Sequence, residues 1–363
     1  MRLKILWLAH RDPLHPRAGG AERSILEICS RLSVFGHNVT VLSAGWKGCK
    51  GQDKINGFRI RRFGNSLSIH FYVPLFILKY KPDMVVNDLG HAVPWPSSFL
   101  LRKKGIVFFR HLHARSLPRQ VNRILAFLIA AIEKSYFILY HNYKFITEST
   151  TSVADLMRIG IRDSNIVKIT PGVDTTTYKV SKKTQDPSLV YFGGMRKYKR
   201  PGDVVSIFMK LQLEVPNLRL TMIGSGPELI HIKEMVESAG LNTAVSFTGR
   251  ISDESLALIV SNSWVNLHTS QTEGWGLSIL EAASAGTPTV AYSVPGVIDA
   301  IEDGQNGFKV KDNDKDAFAD AVLEILKNPA PLWESSRKVA EKYSWDITAR
   351  FWDKTIREEM QTI

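Results

Sequence analysis

The chain has 363 residues, of which 44% are hydrophobic and 23% charged, a composition typical of a globular protein with about two domains. No apolar run reaches the roughly 20 residues that span a bilayer. Only two cysteines, Cys29 and Cys49, are present, which excludes a disulfide framework and favours a reducing compartment. The formal net charge of +12 is uneven, because residues 1–174 carry 26 Lys and Arg against 11 Asp and Glu, whereas the rest carries 21 against 24. The basic half is therefore expected to meet nucleic acid, a membrane surface or an anionic substrate.

In the first half, strands and helices alternate and are joined by long connecting segments. Met1–His10 is basic and then apolar with no small-residue cleavage site after it, so it is predicted to be a strand rather than a signal peptide, in a cytoplasmic protein. Asn56-Gly57 predicts a hairpin. An apolar run from Ile69 to Leu78 contains Pro74, and its two interpretations are a membrane-facing surface or a buried helix that Pro74 opens. The other predicted elements are strands at Lys4–Ala9, Asn38–Ser43, Met84–Asn87, Ile106–Phe109 and Phe145–Thr147, and a helix at Ala21–Phe35.

The second half alternates more regularly. Its strands are short and continuously apolar and its helices are amphipathic, which predicts a parallel sheet covered on both faces. The predicted strands are Leu189–Phe192, Leu218–Ile223, Val245–Thr248, Val265–His268, Thr289–Tyr292 and Gly307–Val310, and the predicted helices are Asp203–Leu213, Glu228–Ser238, Glu254–Ser261, Gly276–Ala285 and Lys315–Leu326.

The predicted fold class is α/β, with two Rossmann-like doubly wound domains facing each other across a cleft. The first domain is assigned to residues 1–174, and a polar linker to residues 175–187. The second domain is assigned to residues 188–343. A C-terminal helix in residues 344–363 has no strand after it and is expected to cross back to the first domain.

Ligands of doubly wound sheets bind beyond the carboxyl ends of the strands, where helix N-termini present free N–H groups. Three loops have the composition for this. Gly19-Gly20 precedes the first helix, and Gly193-Gly194 is followed by the cations Arg196, Lys197, Lys199 and Arg200, which can neutralise a diphosphate without metal. Glu273 to Glu281 follows a strand and opens a helix with two glycines. A fourth loop, Gly224-Ser225-Gly226-Pro227, is expected to serve packing.

Together these segments resemble glycosyltransferase family 4, the retaining nucleotide-sugar transferases of the GT-B fold. The resemblance covers nearly the whole chain and is strongest in the two glutamates with seven residues between them. The segments that carry it are His15–Glu22, Phe145–Thr150, Pro171–Asp174, Gly249–Asp253, Glu273–Glu281, Ala285–Pro288 and Val294–Gly296.

The resemblance implies a donor site made largely by the second domain. Glu273 would act on the donor sugar as a catalytic residue and Glu281 would bind the ribose hydroxyls, with Ser278 on the same helix face. The further residues implied for the donor are Gly20, Arg196, Lys199, Arg250, Gly274, Trp275, Gly276 and Leu277, the last four through backbone N–H groups. The family's arginine five residues before Lys199 is Gly194 here, and Arg196 is expected to reach into its space.

The resemblance also implies residues near the reacting sugar in the first domain. His111 and His113 follow the strand Ile106–Phe109; His111 would be catalytic, and His113 and Gly19 would lie on the acceptor side. No metal or other cofactor is expected, because Asp314 of the Asp312-Asn313-Asp314 sequence is better explained as a helix N-cap.

The expected donor is GDP-mannose or a UDP-hexose, and the expected acceptor is a lipid-linked sugar or glycan at the inner membrane face. A peripheral, anionic-membrane location is favoured by the basic half and by apolar runs beside cations: Ile69–Leu78 with Lys79 and Lys81, Phe99–Leu101 with Arg102, Lys103 and Lys104, and Leu117–Tyr140 with Arg119 and Arg123. Nucleic acid is not expected as a partner, because no module motif appears. A sugar-nucleotide epimerase of the same architecture and an inactive membrane-binding relative stay open as alternatives.

Overall fold

The computed structural model describes residues 1–91, 93–95, 105–112 and 123–361, without the side chains of Arg123, Leu125 and Phe137. The chain forms two compact units. Unit 1 comprises Met1–Pro171 together with Trp345–Ile363, and unit 2 comprises Gly172–Ser344. Each unit is an α/β layer structure with its own sheet.

The sheet of unit 1 has the order β3-β4-β2-β1-β5-β6-β7-β8 among the described residues. Neighbouring strands are parallel except β3 and β4, which form the predicted hairpin around Asn56 (φ 43°) and Gly57 (φ 90°). The central strands β1, β5 and β6 are buried except for Lys4 and mostly apolar, as expected for strands covered on both faces. The strands are β1 Lys4–Leu8, β2 Asn38–Ala44, β3 Gln52–Ile55, β4 Phe58–Phe63, β5 Met84–Leu89, β6 Gly105–Phe109, β7 Lys144–Thr147 and β8 Ile166–Lys168.

Helices of unit 1 flank this sheet. They are α1 Gly20–Val34, α2 Ile69–Tyr80, α3 Arg123–Lys134, the single turn α4 Tyr136–Leu139, and α5 Thr150–Arg158. The alternative in which Pro74 opens the helix is wrong, because α2 begins five residues earlier. Asn65 Oδ1 accepts hydrogen bonds from the backbone of Leu67 and Ser68 (both 3.0 Å). This turn starts the chain on a helical path before Pro74 is reached.

The C-terminal helix, Trp345–Gln361, belongs to unit 1. Arg31 Nε of α1 donates to Asp346 at 2.5 Å. His37 Nε2 lies 2.7 Å from Asp353 Oδ1, and Trp352 packs against Trp7 with ring centroids 4.9 Å apart. The helix thus completes the core of the unit in which the chain begins.

Unit 2 contains a fully parallel sheet of order β11-β10-β9-β12-β13-β14 among its described residues. Its strands are β9 Ser188–Phe192, β10 Arg219–Ile223, β11 Val245–Gly249, β12 Val265–His268, β13 Thr289–Tyr292 and β14 Gly307–Val310. The helices are α6 Pro201–Glu214, α7 Leu229–Ser238, α8 Asp253–Asn262, α9 Leu277–Ser284, α10 Lys315–Lys327 and α11 Ala330–Ala340, so that the C-terminal helix of unit 1 is α12. Among the described helices, none combines the length and apolar character needed to cross a bilayer.

Candidate functional site

Two loops of unit 2 meet because their strands are neighbours. Strand β12 lies beside β9 in parallel register, with Val265 opposite Leu189, so both strands end at the same edge. The backbone N–H of Gln271 donates to Tyr198 O (2.8 Å), and Thr269 Oγ1 donates to Lys199 O (2.8 Å). These bonds join the cationic loop after β9 to the glutamate loop after β12.

Lys199 and Glu273 form an ion pair where the two loops meet. The side chain of Glu273 is only 14% exposed and that of Lys199 20%. Burial disfavours the charged form of Glu273, but the Lys199 ammonium and the contact with His268 together more than offset it and hold the pKa of Glu273 well below its usual range. Burial likewise lowers the pKa of Lys199, but the Glu273 carboxylate and Tyr198 together outweigh it, so that this pKa is raised. Both groups are therefore charged at neutral pH.

His268 adds a second contact to the same carboxylate. It is the last residue of β12, and its Nε2 lies 3.3 Å from Glu273 Oε1. Its Nδ1 lies 3.2 Å from Ser278 Oγ in the first turn of α9. The imidazole thus bridges the glutamate to the helix that follows it.

Helix α9 begins at Leu277, four residues after Glu273 in the chain. Its N-cap Gly276 has φ 96°, and a Cβ there would lie 3.0 Å from Ile279 Cδ1, so glycine is needed for the turn. The first N–H groups of a helix have no intrahelical acceptor and face outward from its end, which makes an anion site. The side chain of Trp275 is buried against Tyr343, so its contribution to such a site is limited to its backbone N–H.

Gly296 holds the backbone of Glu273. The N–H of Glu273 donates to Pro295 O at 3.0 Å. Gly296 has φ 80°, and a Cβ there would lie 2.2 Å from Glu273 O. Only glycine permits this approach. The segment around Gly296 therefore fixes the position of the Glu273 backbone beyond the end of β12.

The remaining predicted donor residues take different positions in unit 2. Glu281 lies in the second turn of α9 and is half-buried. Arg250 is exposed in the loop that leaves β11, at the same carboxyl edge of the sheet but two strands away from β9. The structure therefore brings Lys199, Glu273 and α9 together and leaves Arg250 at the margin.

Arg196 lies next to Gly194, the position at which the family has an arginine. Its side chain is exposed, and its Cγ and Nε lie 3.7 Å from the point where a Cβ of Gly194 would stand. Its guanidinium also acts electrostatically on Lys199. The fourth glycine loop packs beneath this segment, since a Cβ on Gly224 would lie 1.9 Å from Gly193 O.

The two aspartates after β14 have structural partners. Asp314 caps α10 by accepting a hydrogen bond from the Ala317 N–H (3.0 Å). Asp312 accepts one from Arg200 Nη2 (2.7 Å). The N-cap prediction for Asp314 is confirmed.

In unit 1, Gly19 and Gly20 stand at the start of α1. The Gly19 N–H donates to Glu22 Oε2 (2.7 Å), and Glu22 Oε1 also pairs with Arg11 Nε (3.1 Å). The glutamate occupies part of the N-terminal hydrogen-bonding capacity of α1.

His111 follows β6 and is half-buried. The preceding Arg110 is buried and pairs with Asp88 (3.0 Å) and Glu148 (3.5 Å), while Ser152 Oγ donates to Arg110 O (2.8 Å). This buried network fixes the backbone that presents His111. His113 lies outside the described residues.

Sequence reasoning missed the buried network and His268. Arg110, Asp88 and Glu148 come from three neighbouring strand ends, and no local spacing links them. For His268 a signal existed, because it is a polar residue at the carboxyl end of a predicted strand that leads into the glutamate loop.

Two family models match the chain in the order of its two units. "Glycosyltransferase Family 4" matches residues 18–177, and "Glycosyl transferases group 1" matches residues 174–344. The fold is that of the GT-B glycosyltransferases, with two parallel-sheet α/β domains. The chain belongs to glycosyltransferase family 4.

Curated relatives share moderate identity. The N-acetyl-α-D-glucosaminyl L-malate synthase of Bacillus anthracis is 29% identical over 175 residues, which is 48% of this chain and 44% of that protein. A phosphatidylinositol N-acetylglucosaminyltransferase component from Arabidopsis thaliana is 23% identical over 96% of this chain and 80% of that protein. The first match thus spans less than half of its relative.

Solved structures agree in fold. Sucrose-phosphate synthase from Thermosynechococcus elongatus superposes with a TM-score of 0.86 at 20% identity, covering 98% of this chain and 99% of the other. Anabaena HepE, solved in complex with UDP-glucose, superposes with a TM-score of 0.78 at 16% identity, covering 98% and 100%.

Proposed function

We propose that this glycosyltransferase moves a hexose from a nucleotide diphosphate sugar, with retention of anomeric configuration, to a lipid-linked sugar or glycan at the cytoplasmic membrane face. The observation that carries the proposal is the Lys199–Glu273 ion pair beside the N-terminus of α9. A cation and free N–H groups suit a diphosphate, and a fixed carboxylate suits sugar hydroxyls.

Each donor residue has a role in this scheme. The N–H groups of Gly274 to Leu277 and the side chains of Lys199 and Arg196 hold the two phosphates. Glu273 binds the donor sugar, and Glu281 accepts hydrogen bonds from the ribose hydroxyls. The family resemblance also assigns Gly20 to the donor phosphates, His111 to the reacting sugar, and Gly19 and His113 to the acceptor side.

The leaving group needs no metal in this proposal. Diphosphate departure builds negative charge, and preorganised cations and helix N–H groups stabilise such charge electrostatically. Arg196 supplies the cation that residue 194 lacks, which is supported by its stem lying 3.7 Å from the Gly194 Cβ position. This contact favours an active transferase over an inactive relative.

UDP-sugars are the first donors to test. The structural neighbour from Anabaena was solved with UDP-glucose, and the names of the two relatives described above both contain an N-acetylglucosaminyl group. UDP-glucose, UDP-N-acetylglucosamine and GDP-mannose therefore form the initial panel. One of them is expected to be consumed in excess EDTA, and the product, followed by NMR, is expected to keep the donor's configuration.

Glu281→Ala is expected to weaken binding of the active nucleotide sugar by about 1.5–3 kcal/mol, the cost of losing a hydrogen bond to a charged group. Calorimetry measures this. Glu324→Ala, an exposed helical glutamate of the same unit, is the matched control and leaves binding unchanged. Equal donor affinity in both variants would contradict the ribose assignment. Activity lost in EDTA and restored by manganese would contradict metal independence, and an inverted product would contradict retention.

The membrane part of the proposal rests on two exposed apolar stripes in unit 1. Helix α2 buries Ile69, Val73 and Ile77, yet its outer face shows large apolar side chains as well: Phe71 is 79% exposed, Leu75 66% and Leu78 57%. These positions are three and four apart and share one face. An exposed stripe of this kind marks an interaction surface.

Helix α3 carries the second stripe. Ile124 is 75% exposed, Phe127 73% and Leu128 51%, again three and four residues apart. Exposed cations close both helices, Lys79 and Lys81 at α2 and Lys134 at α3. Apolar side chains flanked by cations fit an anionic leaflet. Arg102, Lys103 and Lys104 lie outside the described residues.

Liposome flotation is expected to show binding that requires anionic lipid and falls with salt, because the electrostatic part is screened. Phe71→Ser/Leu75→Ser is expected to abolish most of it, since each large apolar side chain contributes up to about 1.5–3 kcal/mol when fully buried. Leu213→Ser, at an 86% exposed position in unit 2, is the control. A protein that ignores anionic vesicles even at low salt contradicts membrane docking and leaves the donor site untouched.

A further inference from the structure

Three histidines from separate parts of unit 1 come together at one point. His10 follows β1 by two residues, His91 follows β5 by two residues, and His70 is the second residue of α2. One ring nitrogen of each lies within 4.8 Å of one ring nitrogen of the others. Strands β1 and β5 are parallel neighbours, with Leu8 opposite Asn87, so the two loops that carry His10 and His91 leave the sheet side by side.

We propose that His10, His70 and His91, all residues of unit 1, form a binding site for one zinc-type divalent transition metal ion. Three imidazoles are a common protein ligand set for Zn²⁺, with a fourth position left for water. Zn–N bonds of about 2.0–2.1 Å put tetrahedral ligand atoms about 3.3–3.4 Å apart. The rings of His10 and His91, whose centroids lie 3.0 Å apart, have to move apart for their nitrogens to take up this geometry.

The burial of the nitrogens supports a metal. His10 Nε2 and His70 Nδ1 are inaccessible to solvent and have no hydrogen-bond partner among the described residues. Leaving a buried polar atom unpaired costs about 1–3 kcal/mol. A metal ion bound to these two nitrogens would remove that cost. Trp95 holds the rings from one side: His70 stacks on it with centroids 4.7 Å apart and His10 lies at 5.1 Å.

A cation, Arg11, directly follows His10 in the chain. The guanidinium of Arg11 is paired with Glu22 (3.1 Å), which reduces its repulsion of a cation.

The sequence did not reveal this cluster. The three histidines are separated by sixty and twenty-one positions, whereas metal motifs are recognised by short spacings. The sequence analysis expects no metal in the chain, and the proposal departs from that expectation for unit 1, while the diphosphate in unit 2 still needs no metal.

Titration of tag-free protein with Zn²⁺ tests the site. Wild type is expected to bind one equivalent, to show the visible absorption of a nitrogen-ligated ion with Co²⁺, and to gain thermal stability with metal because binding stabilises the folded state. His10→Ala, His70→Ala and His91→Ala are each expected to weaken binding at least about tenfold and to lose the thermal shift. His231→Ala, an exposed histidine of α7, is the control and behaves like wild type.

Two results overturn the proposal: wild type that binds no Zn²⁺ at micromolar concentration, or three histidine variants that each keep the wild-type equivalent. His70→Gln, which preserves a polar side chain, separates loss of a ligand from loss of folding. Its thermal unfolding without metal is expected to match that of wild type. Donor binding by unit 2 is measured in the same samples, so failure of the metal site and failure of the donor site are distinguishable.

Discussion

Glu273→Gln is expected to lower kcat by about 100-fold or more, in the range found when one preorganised electrostatic group is removed from an active site. The substitution keeps the size of the side chain and removes its charge. Lys199 then faces the site without its carboxylate partner, and the contact with His268 at 3.3 Å is altered. Binding of the free nucleoside diphosphate is expected to change little, because the phosphates meet Lys199 and the helix N-terminus instead.

Steady-state kinetics with the active donor measures this effect. Glu302→Gln is the control, since Glu302 pairs with Lys342 at 2.8 Å on the surface of the same unit, and its kcat is expected to equal that of wild type. A Glu273→Gln enzyme with normal turnover would remove Glu273 from the catalytic residues. A folded variant that loses nucleoside diphosphate affinity as well would assign Glu273 to phosphate binding through Lys199.

Gly296→Ala is expected to destabilise unit 2 by about 2–4 kcal/mol and to reduce turnover together with stability. The added Cβ meets Glu273 O at 2.2 Å, so either the loop or the glutamate backbone has to move. Left-handed backbone (φ 80°) adds strain for any residue with a Cβ. The shift reaches Glu273 directly, because its N–H is bonded to Pro295 O.

The matched control is Gly304→Ala. Gly304 has a similar φ of 72°, but no described atom lies within 4 Å of its added Cβ. This variant is expected to show only the backbone cost of about 1–2 kcal/mol and wild-type kcat. Chemical denaturation and kinetics compare the two. If both variants lose stability equally and keep full turnover, the role of Gly296 in positioning Glu273 is refuted.

Much of the fold was predictable because local burial leaves a periodic signal. Strand β12 (Val265–His268) was predicted to the residue, and β13 likewise. Helices α5 and α11 and strand β8 were missed. Strand β8 is a three-residue edge strand with half-buried and exposed positions, so its sequence carries little apolar pattern. Helix α2 was mispredicted at its start because Pro74 suggested an N-terminus that tertiary burial of Ile69 overrides.

Some features of the candidate site were likewise predictable from the sequence, and others were not. Glu273, the glycines before α9 and the cations after β9 were identifiable from sequence, since each lies at a predicted strand–helix junction. That Lys199 pairs with Glu273 was not identifiable, because β10 and β11 lie between β9 and β12 in the chain. Only the order of strands in the sheet makes these two loops neighbours.

By itself the sequence determined two α/β units, a glycine-opened helix after a glutamate, and a basic first half, because composition and periodicity are local properties of the chain. Tertiary structure alone decided that Arg196 stands over Gly194, that His268 contacts Glu273, and that three distant histidines meet. These contacts depend on strand order and loop path. Strand order depends on how all strands and helices together bury both faces of the sheet. No short stretch of sequence encodes it.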